Sequence, residues 1–127
     1  MFAKDRLPRY LPPRRRLLLV YNTDKHDLPG ELWMVLYVGE DSTGEYFNSF
    51  AQDPDRPFVK LLDKFAARWI RNDVRIQSIL SSFCGHYCIF YCLFKTLGYG
   101  MKDIVNCFID DTTANDVLVH NFVCNSL

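Results

Sequence analysis

At 127 residues, 49% of them hydrophobic and 15% aromatic, the chain is the size of one domain with ample apolar mass for a core, which excludes an intrinsically disordered protein. Fifteen basic and fifteen acidic residues cancel, and no stretch of about 18 apolar residues exists to form a membrane span. The opening MFAKDRLP lacks the charged-then-apolar order of a signal peptide, and an odd count of five cysteines argues for reduced thiols in an intracellular setting, cytoplasmic or nuclear, rather than a disulfide framework.

Residues 1–16 form a basic, proline-containing lead-in to a single domain spanning 1–127. Lys4, Arg6, Arg9, Arg14, Arg15 and Arg16 stand there against Asp5 alone. Pro8, Pro12 and Pro13 exclude a long helix or a central strand. Such an arm is a solvated end or a weak pointer to DNA. Leu17 to Tyr21 is an apolar run of strand length, and Asn22 to Gly30 a polar loop. Leu32–Val38 and Glu45–Phe50, joined by a turn from Gly39 to Gly44, read as an antiparallel hairpin.

Residues 58, 61, 62, 65, 66, 69 and 70 are apolar, which predicts an amphipathic helix over Phe58–Ile70. Val74–Gln77 reads as a short strand. Helices are expected at Met101–Phe108 and Thr112–Asn121, the latter capped from Asp111 or Thr112. The order predicts an α+β fold: a small, mostly antiparallel sheet packed against a central buried helix, with additional helices around it.

That central helix lies within the stretch from Gln77 to Leu97, QSILSSFCGHYCIFYCLFKTL. Ser81 or Ser82 offers an N-cap and Gly98 a stop. Cys84 falls at the first turn, where free N–H groups and the helix dipole favour an anion and so a reactive thiolate. Cys84, Cys88 and Cys92 also lie at i, i+4 and i+8, a single stripe, and on spacing alone plain core packing is the favoured explanation. A zinc site built from this stripe and His86 is disfavoured, because zinc ligands normally come from short knuckles and separate elements. No metal and no cofactor are expected.

The same residues carry a resemblance. Gln77 stands seven residues before Cys84-Gly85, small residues lie between, and Cys88 follows four positions on. Gly30-Glu31-Leu32-Trp33 matches in part a G-x-H-W strand, and Tyr46-Phe47-Asn48-Ser49-Phe50 matches in part a strand that carries an acidic residue. With the lead-in FAKDRLP, this pattern resembles the adenain-like (adenovirus-protease-type) cysteine peptidases, relatives of the SUMO and ubiquitin-like-protein proteases, in the versions carried by mobile elements. Members usually begin with an N-terminal helix that has no counterpart in this sequence. The resemblance implies Cys84 as nucleophile, Gln77 and the Cys84 backbone N–H as oxyanion hole, and Trp33 with Gly85 lining the substrate path.

Two positions depart from the family. The histidine position is Leu32 and the acidic position is Asn48. Leucine accepts no proton, so the thiol loses its general base and ion-pair partner. An asparagine alone is tolerable, as papain-like enzymes show, but here no imidazole remains to be oriented. His26, six residues before Leu32, is a poor substitute, because a loop histidine is not held to the tolerance that proton transfer needs. His86 and His120 are poorly placed in the sequence to replace it.

The expectation is a homologue of cysteine endopeptidases that cleave after small residues such as glycine, with impaired or no turnover. The alternatives are a non-catalytic pseudopeptidase holding an extended peptide or ubiquitin-like tail, and a degraded mobile-element fragment. The partner is a peptide or protein tail, with DNA a weak second through residues 4–16, no membrane, and a monomeric state.

Overall fold

The computed structural model describes residues 2–3, 17–22, 33–79 and 81–126. Leu32, His26, Gly30 and the basic arm of residues 4–16 therefore lie outside the described residues. Strands β1 (Phe2–Ala3), β2 (Leu17–Asn22), β3 (Trp33–Val38) and β4 (Thr43–Phe47) precede helix α1 (Arg56–Phe65). Strand β5 (Arg68–Arg71) follows, and helices α2 (Cys84–Thr96), α3 (Met101–Val105) and α4 (Thr112–Ser126) complete the chain. The sheet runs in the order β1-β2-β3-β4-β5, antiparallel through β2, β3 and β4 and parallel at the two edges. The α+β class read from the sequence is the class observed.

Both faces of the sheet are covered, which is why β2 and β3 read as unbroken apolar runs instead of alternating ones. Leu19, Tyr21, Met34, Leu36, Val38 and Tyr46 face one way and pack with Phe58, Leu61 and Leu62 of α1. Val35 and Phe47 face the other way, into a core with Tyr87, Cys88, Phe90 and Tyr91 of α2 and with Val119 and Val123 of α4. Since pleated strands alternate faces, one strand serves two cores. The cross-strand pairs Val20↔Val35 and Asn22↔Trp33 carry the α2 side to the end of the sheet where Cys84 sits. Gly44 permits the closest approach on the α1 side: a Cβ there would meet Ala66, Leu62 and Trp69 side chains at 3.0 Å each.

Several local expectations are corrected. The helix predicted over Phe58–Ile70 ends at Phe65, and Arg68–Arg71 is instead a strand paired in parallel with Thr43–Tyr46. Tertiary pairing with an open strand edge overrides the helical periodicity of those residues. Val74–Gln77 is not a strand; its amides at Ile76 and Gln77 donate to the Ser49 carbonyl instead. The predicted third strand Glu45–Phe50 runs from Thr43 to Phe47, and a turn closed by the Ala51 N–H on the Asn48 carbonyl follows it. The helix at Met101 ends at Val105, and the last helix runs on to Ser126. Asp111 does cap that helix, its carboxylate accepting the Ala114 N–H at 3.1 Å.

Helix α2 starts one residue after Phe83, and neither serine caps it. Its end is as expected. Gly98 adopts φ +94°, its N–H reaches the Lys95 carbonyl, and the Tyr99 N–H reaches that of Phe94. This is a Schellman closure that an L side chain would strain, and the Phe94 and Tyr99 rings pack across it at 5.5 Å.

Candidate active site

Cys84 is the first residue of α2, so its backbone N–H belongs to the group that a helix leaves without an internal partner. Its side chain is 6% exposed. Among the described residues the sulfur accepts one hydrogen bond, from the backbone N–H of Trp33 at 3.4 Å. The Trp33 indole lies over the helix start, its Cδ1 atom 3.8 Å from where a Gly85 Cβ would be. Cys84, Trp33 and Gly85 thus lie together at the start of α2.

Gln77 is fully buried and held on every side. Its Oε1 accepts the Ser49 hydroxyl at 2.5 Å, and its Nε2 donates to the Ser81 hydroxyl at 2.9 Å and to the Ser81 carbonyl at 3.3 Å. No hydrogen bond joins Gln77 to Cys84; the link runs through Ser81, three residues before the cysteine. The same bond explains the missing helix cap, because the Ser81 hydroxyl is engaged by Gln77.

Asn48 is engaged in local contacts. Its Oδ1 accepts the Phe50 N–H at 2.9 Å, an Asx turn, while its backbone is paired with the Asn72 side chain at 3.0 and 2.6 Å. Its amide also reaches the Tyr46 hydroxyl, whose ionisation is pushed up to about 12, chiefly by burial. The Leu32 position lies outside the described residues; in the chain it directly precedes Trp33.

Among the described residues no imidazole bonds to Cys84. His86 and His120 pack against each other, ring centroids 5.3 Å apart, and both flank the Phe83 ring. Burial, with His120 beside it, holds His86 below the ordinary imidazole range. Farther along the stripe, burial raises the Cys88 thiol well above its usual range and Cys92 to about 11. Those two are neutral, packed thiols. The stripe therefore divides: packing explains Cys88 and Cys92, and the helix start sets Cys84 apart. Among the described residues no group of three or more His, Cys, Asp or Glu side chains is arranged to hold a metal, and no helix is long and apolar enough to cross a membrane.

A second set of residues, unread in the sequence, supports the loop that carries Gln77. Asn115 Nδ2 donates to the carbonyls of Ile76 (3.0 Å) and Ile109 (2.7 Å). The Tyr87 hydroxyl lies 2.6 Å from an Asp116 carboxylate oxygen and 3.2 Å from the Ile76 carbonyl, and the same carboxylate accepts the Ser78 N–H at 3.4 Å. The available signal was the buried pair Asn115-Asp116 within a helix, since buried polar side chains demand partners.

No known family model matches the sequence, and no curated protein matches it. Among solved structures, the crystal structure of the selenomethionine ASFV pS273R protease superposes with a TM-score of 0.64 and 20% sequence identity, over 83% of this chain and 43% of that one. The chain thus spans less than half the length of that protease. At this identity the likeness is one of fold, and the chain has an α+β fold similar to that of the ASFV pS273R protease.

Proposed function

We propose that this chain is a homologue of the adenain-like cysteine peptidases, keeping Cys84 as a nucleophile aimed at an extended peptide but turning over little or none as it stands. The carrying observation is the place of Cys84 at the first turn of α2, with the Trp33 backbone N–H on its sulfur. Its sulfur, at a helix N-terminus, meets a single N–H donor from Trp33, and among the described residues no imidazole accompanies it. The fold it shares with a protease supports the lineage.

In this reading, attack of the Cys84 sulfur on a peptide carbonyl would build negative charge on oxygen, which the Cys84 backbone N–H and the Gln77 amide would face. Ser49 fixes the Gln77 oxygen and so directs its NH2 group, which now donates to the Ser81 hydroxyl and carbonyl and would have to exchange one of those bonds for the oxyanion. The failure lies in proton transfer. With leucine at the base position, no imidazole among the described residues is placed to take the thiol proton or return one to the leaving amine, and loss of a triad member generally removes several powers of ten in rate.

The test is hydrolysis of a fluorogenic peptide ending in Gly-Gly by wild type, by Leu32→His/Asn48→Asp, and by that pair combined with Cys84→Ala. A silent wild type and a Cys84-dependent double variant support the reading. Cleavage by the wild type that Cys84→Ala abolishes would overturn the claim of lost turnover and make His26 the base to examine. Silence throughout would leave a holder of uncleaved peptide tails as the better description.

A further inference from the structure

The residues on either side of Gln77 are held by the last helix. Asn115 Nδ2 donates to the Ile76 carbonyl at 3.0 Å, just before Gln77, and the Asp116 carboxylate accepts the Ser78 N–H at 3.4 Å, just after it. We propose that Asn115 and Asp116 are positioning residues that set the Gln77 amide for an oxyanion forming at Cys84, acting through the backbone that carries it. The proposal rests on the reading of Cys84 and Gln77 given above and adds α4 to the parts that reading needs.

Gln77 belongs to no helix or strand, so no regular ladder fixes its path. Ser49 holds one side of the loop, its carbonyl accepting the Ile76 and Gln77 N–H groups at 3.0 and 3.2 Å, and α4 holds the other. The α4 grip is itself anchored. Asn115 and Asp116 are buried, and Asn115 closes on the backbone of Ile109, donating to its carbonyl at 2.7 Å and accepting its N–H at 2.9 Å. With its oxygen taken by an N–H, the Asn115 amide has one orientation, and its NH2 group is then shared between Ile109 and Ile76.

Tyr87 ties the helix of the nucleophile into the same network. It stands one turn after Cys84 on α2, and its hydroxyl donates at 2.6 Å to the Asp116 oxygen that also takes the Ser78 N–H. Burial, with that hydrogen bond, pushes the Tyr87 ionisation above the ordinary tyrosine range, so the hydroxyl keeps its proton. One carboxylate oxygen thus connects the helix that begins at Cys84 with the residue that follows Gln77.

The chemistry asks for such an anchor. The Gln77 NH2 group donates to Ser81 and has to trade one of those bonds for the oxyanion. A side chain that changes partners keeps its aim only if the backbone beneath it stays fixed, because a misplacement of about 1 Å costs up to about a hundredfold in rate. The Ser81 contact is the one exchanged, and α4 supplies the one that holds.

The experiment acylates Cys84 with the p-nitrophenyl ester of a peptide ending in glycine. The sulfur attacks the ester carbonyl, the bond to the aryl oxygen breaks, p-nitrophenolate leaves without needing a proton, and the thiol proton passes to buffer. Acylation of Cys84 is followed by mass spectrometry, and its rate is divided by that of iodoacetamide, which alkylates the same sulfur without forming an oxyanion. Gln77→Ala should lower this ratio about a hundredfold. Asp116→Ala and Asn115→Ala should each lower it about tenfold. Added to Gln77→Ala, neither should lower it further, because no amide is left to position. Asp116→Asn, whose side-chain oxygen can take both contacts, should stay near the wild-type ratio. If Asp116→Ala or Asn115→Ala leaves the ratio unmoved, or lowers it equally with and without Gln77, the proposal is overturned while the oxyanion reading stands. A loss in Asp116→Asn as large as in Asp116→Ala overturns it as well. If either reagent leaves Cys84 unmodified, or Gln77→Ala leaves the ratio unchanged, the reading of the site fails and the proposal with it. Should the alanine variants not fold, Tyr87→Phe, which deletes the hydroxyl and keeps the ring, is judged by the same criteria.

Discussion

Ser49 grips Gln77 at two points. Its hydroxyl donates to the Gln77 side-chain oxygen at 2.5 Å, and its carbonyl accepts the Gln77 backbone N–H at 3.2 Å. A residue at the end of one strand thereby fixes both the path and the amide orientation of a residue 28 positions later. The grip holds the loop between the sheet and α2 in one path.

Removing that grip has a defined effect. Ser49→Ala leaves Gln77 Oε1 buried without its donor, which costs about 1–3 kcal/mol. Urea denaturation should show the loss as a lower midpoint with an unchanged slope. A wild-type midpoint in Ser49→Ala would mean that the 2.5 Å contact contributes nothing to the fold.

Gly44 is a packing constraint and not a turn residue. In Gly44→Ala the added methyl would sit 3.0 Å from Ala66, Leu62 and Trp69 carbons. Over-packing of this kind costs about 1–3 kcal/mol, and calorimetry should record a lower Tm. A Tm equal to that of the wild type would show that α1 can withdraw from the sheet freely.

A buried ion pair closes the far end of α2. Lys95 Nζ lies 2.9 Å from Glu45 and 4.2 Å from the centre of the Tyr37 ring, and the Tyr91 hydroxyl donates to the other Glu45 oxygen. Lys95→Met strands the Glu45 charge and should cost about 3–5 kcal/mol, while Glu45→Gln/Lys95→Met should recover most of that loss. A double variant as unstable as the single one would refute this account.

The buried thiols give stability a direction with pH. Cys92 ionises near 9 in an unfolded chain and near 11 in the fold, because burial disfavours the thiolate. Between those values the folded state holds more protons than the unfolded one, so stability is fully present below about pH 9 and falls as pH rises towards 11. Unfolding free energies measured at pH 8, 9 and 10 under reducing conditions should decline, and Cys92→Ala should flatten part of the slope. An identical slope in Cys92→Ala would assign the decline to other groups.

Much of the site was legible because its cues are local. Cys84 at a helix start follows from the apolar run behind it, and the Gly98 stop follows from the need for a positive φ. The strands at Leu17 and Trp33 declare themselves as short apolar runs. The misreadings share one cause. Ser81 looks like a cap until Gln77 takes its hydroxyl, Arg68–Arg71 looks helical until β4 offers an edge, and Val74–Gln77 looks like a strand until Ser49 captures its amides.

Asn48 shows the same limit from the other side. The resemblance matched it to an acidic position, and its contacts at the corner of an Asx turn braced by Asn72 could not be read from the sequence. The bracing of the Gln77 loop by Tyr87, Asn115 and Asp116 was equally invisible, since the bonded partners lie between 11 and 39 residues apart in the chain.

The sequence by itself determined the α+β class, the apolar faces and the helix that starts at Cys84, because periodicity, capping and turn chemistry act over a few residues. Tertiary structure alone decided which strand edge captured Arg68–Arg71, which way the Gln77 amide points, and that the Trp33 backbone meets the Cys84 sulfur. Those outcomes depend on hydrogen bonds and contacts between residues tens of positions apart, whose partners are chosen only when the chain packs.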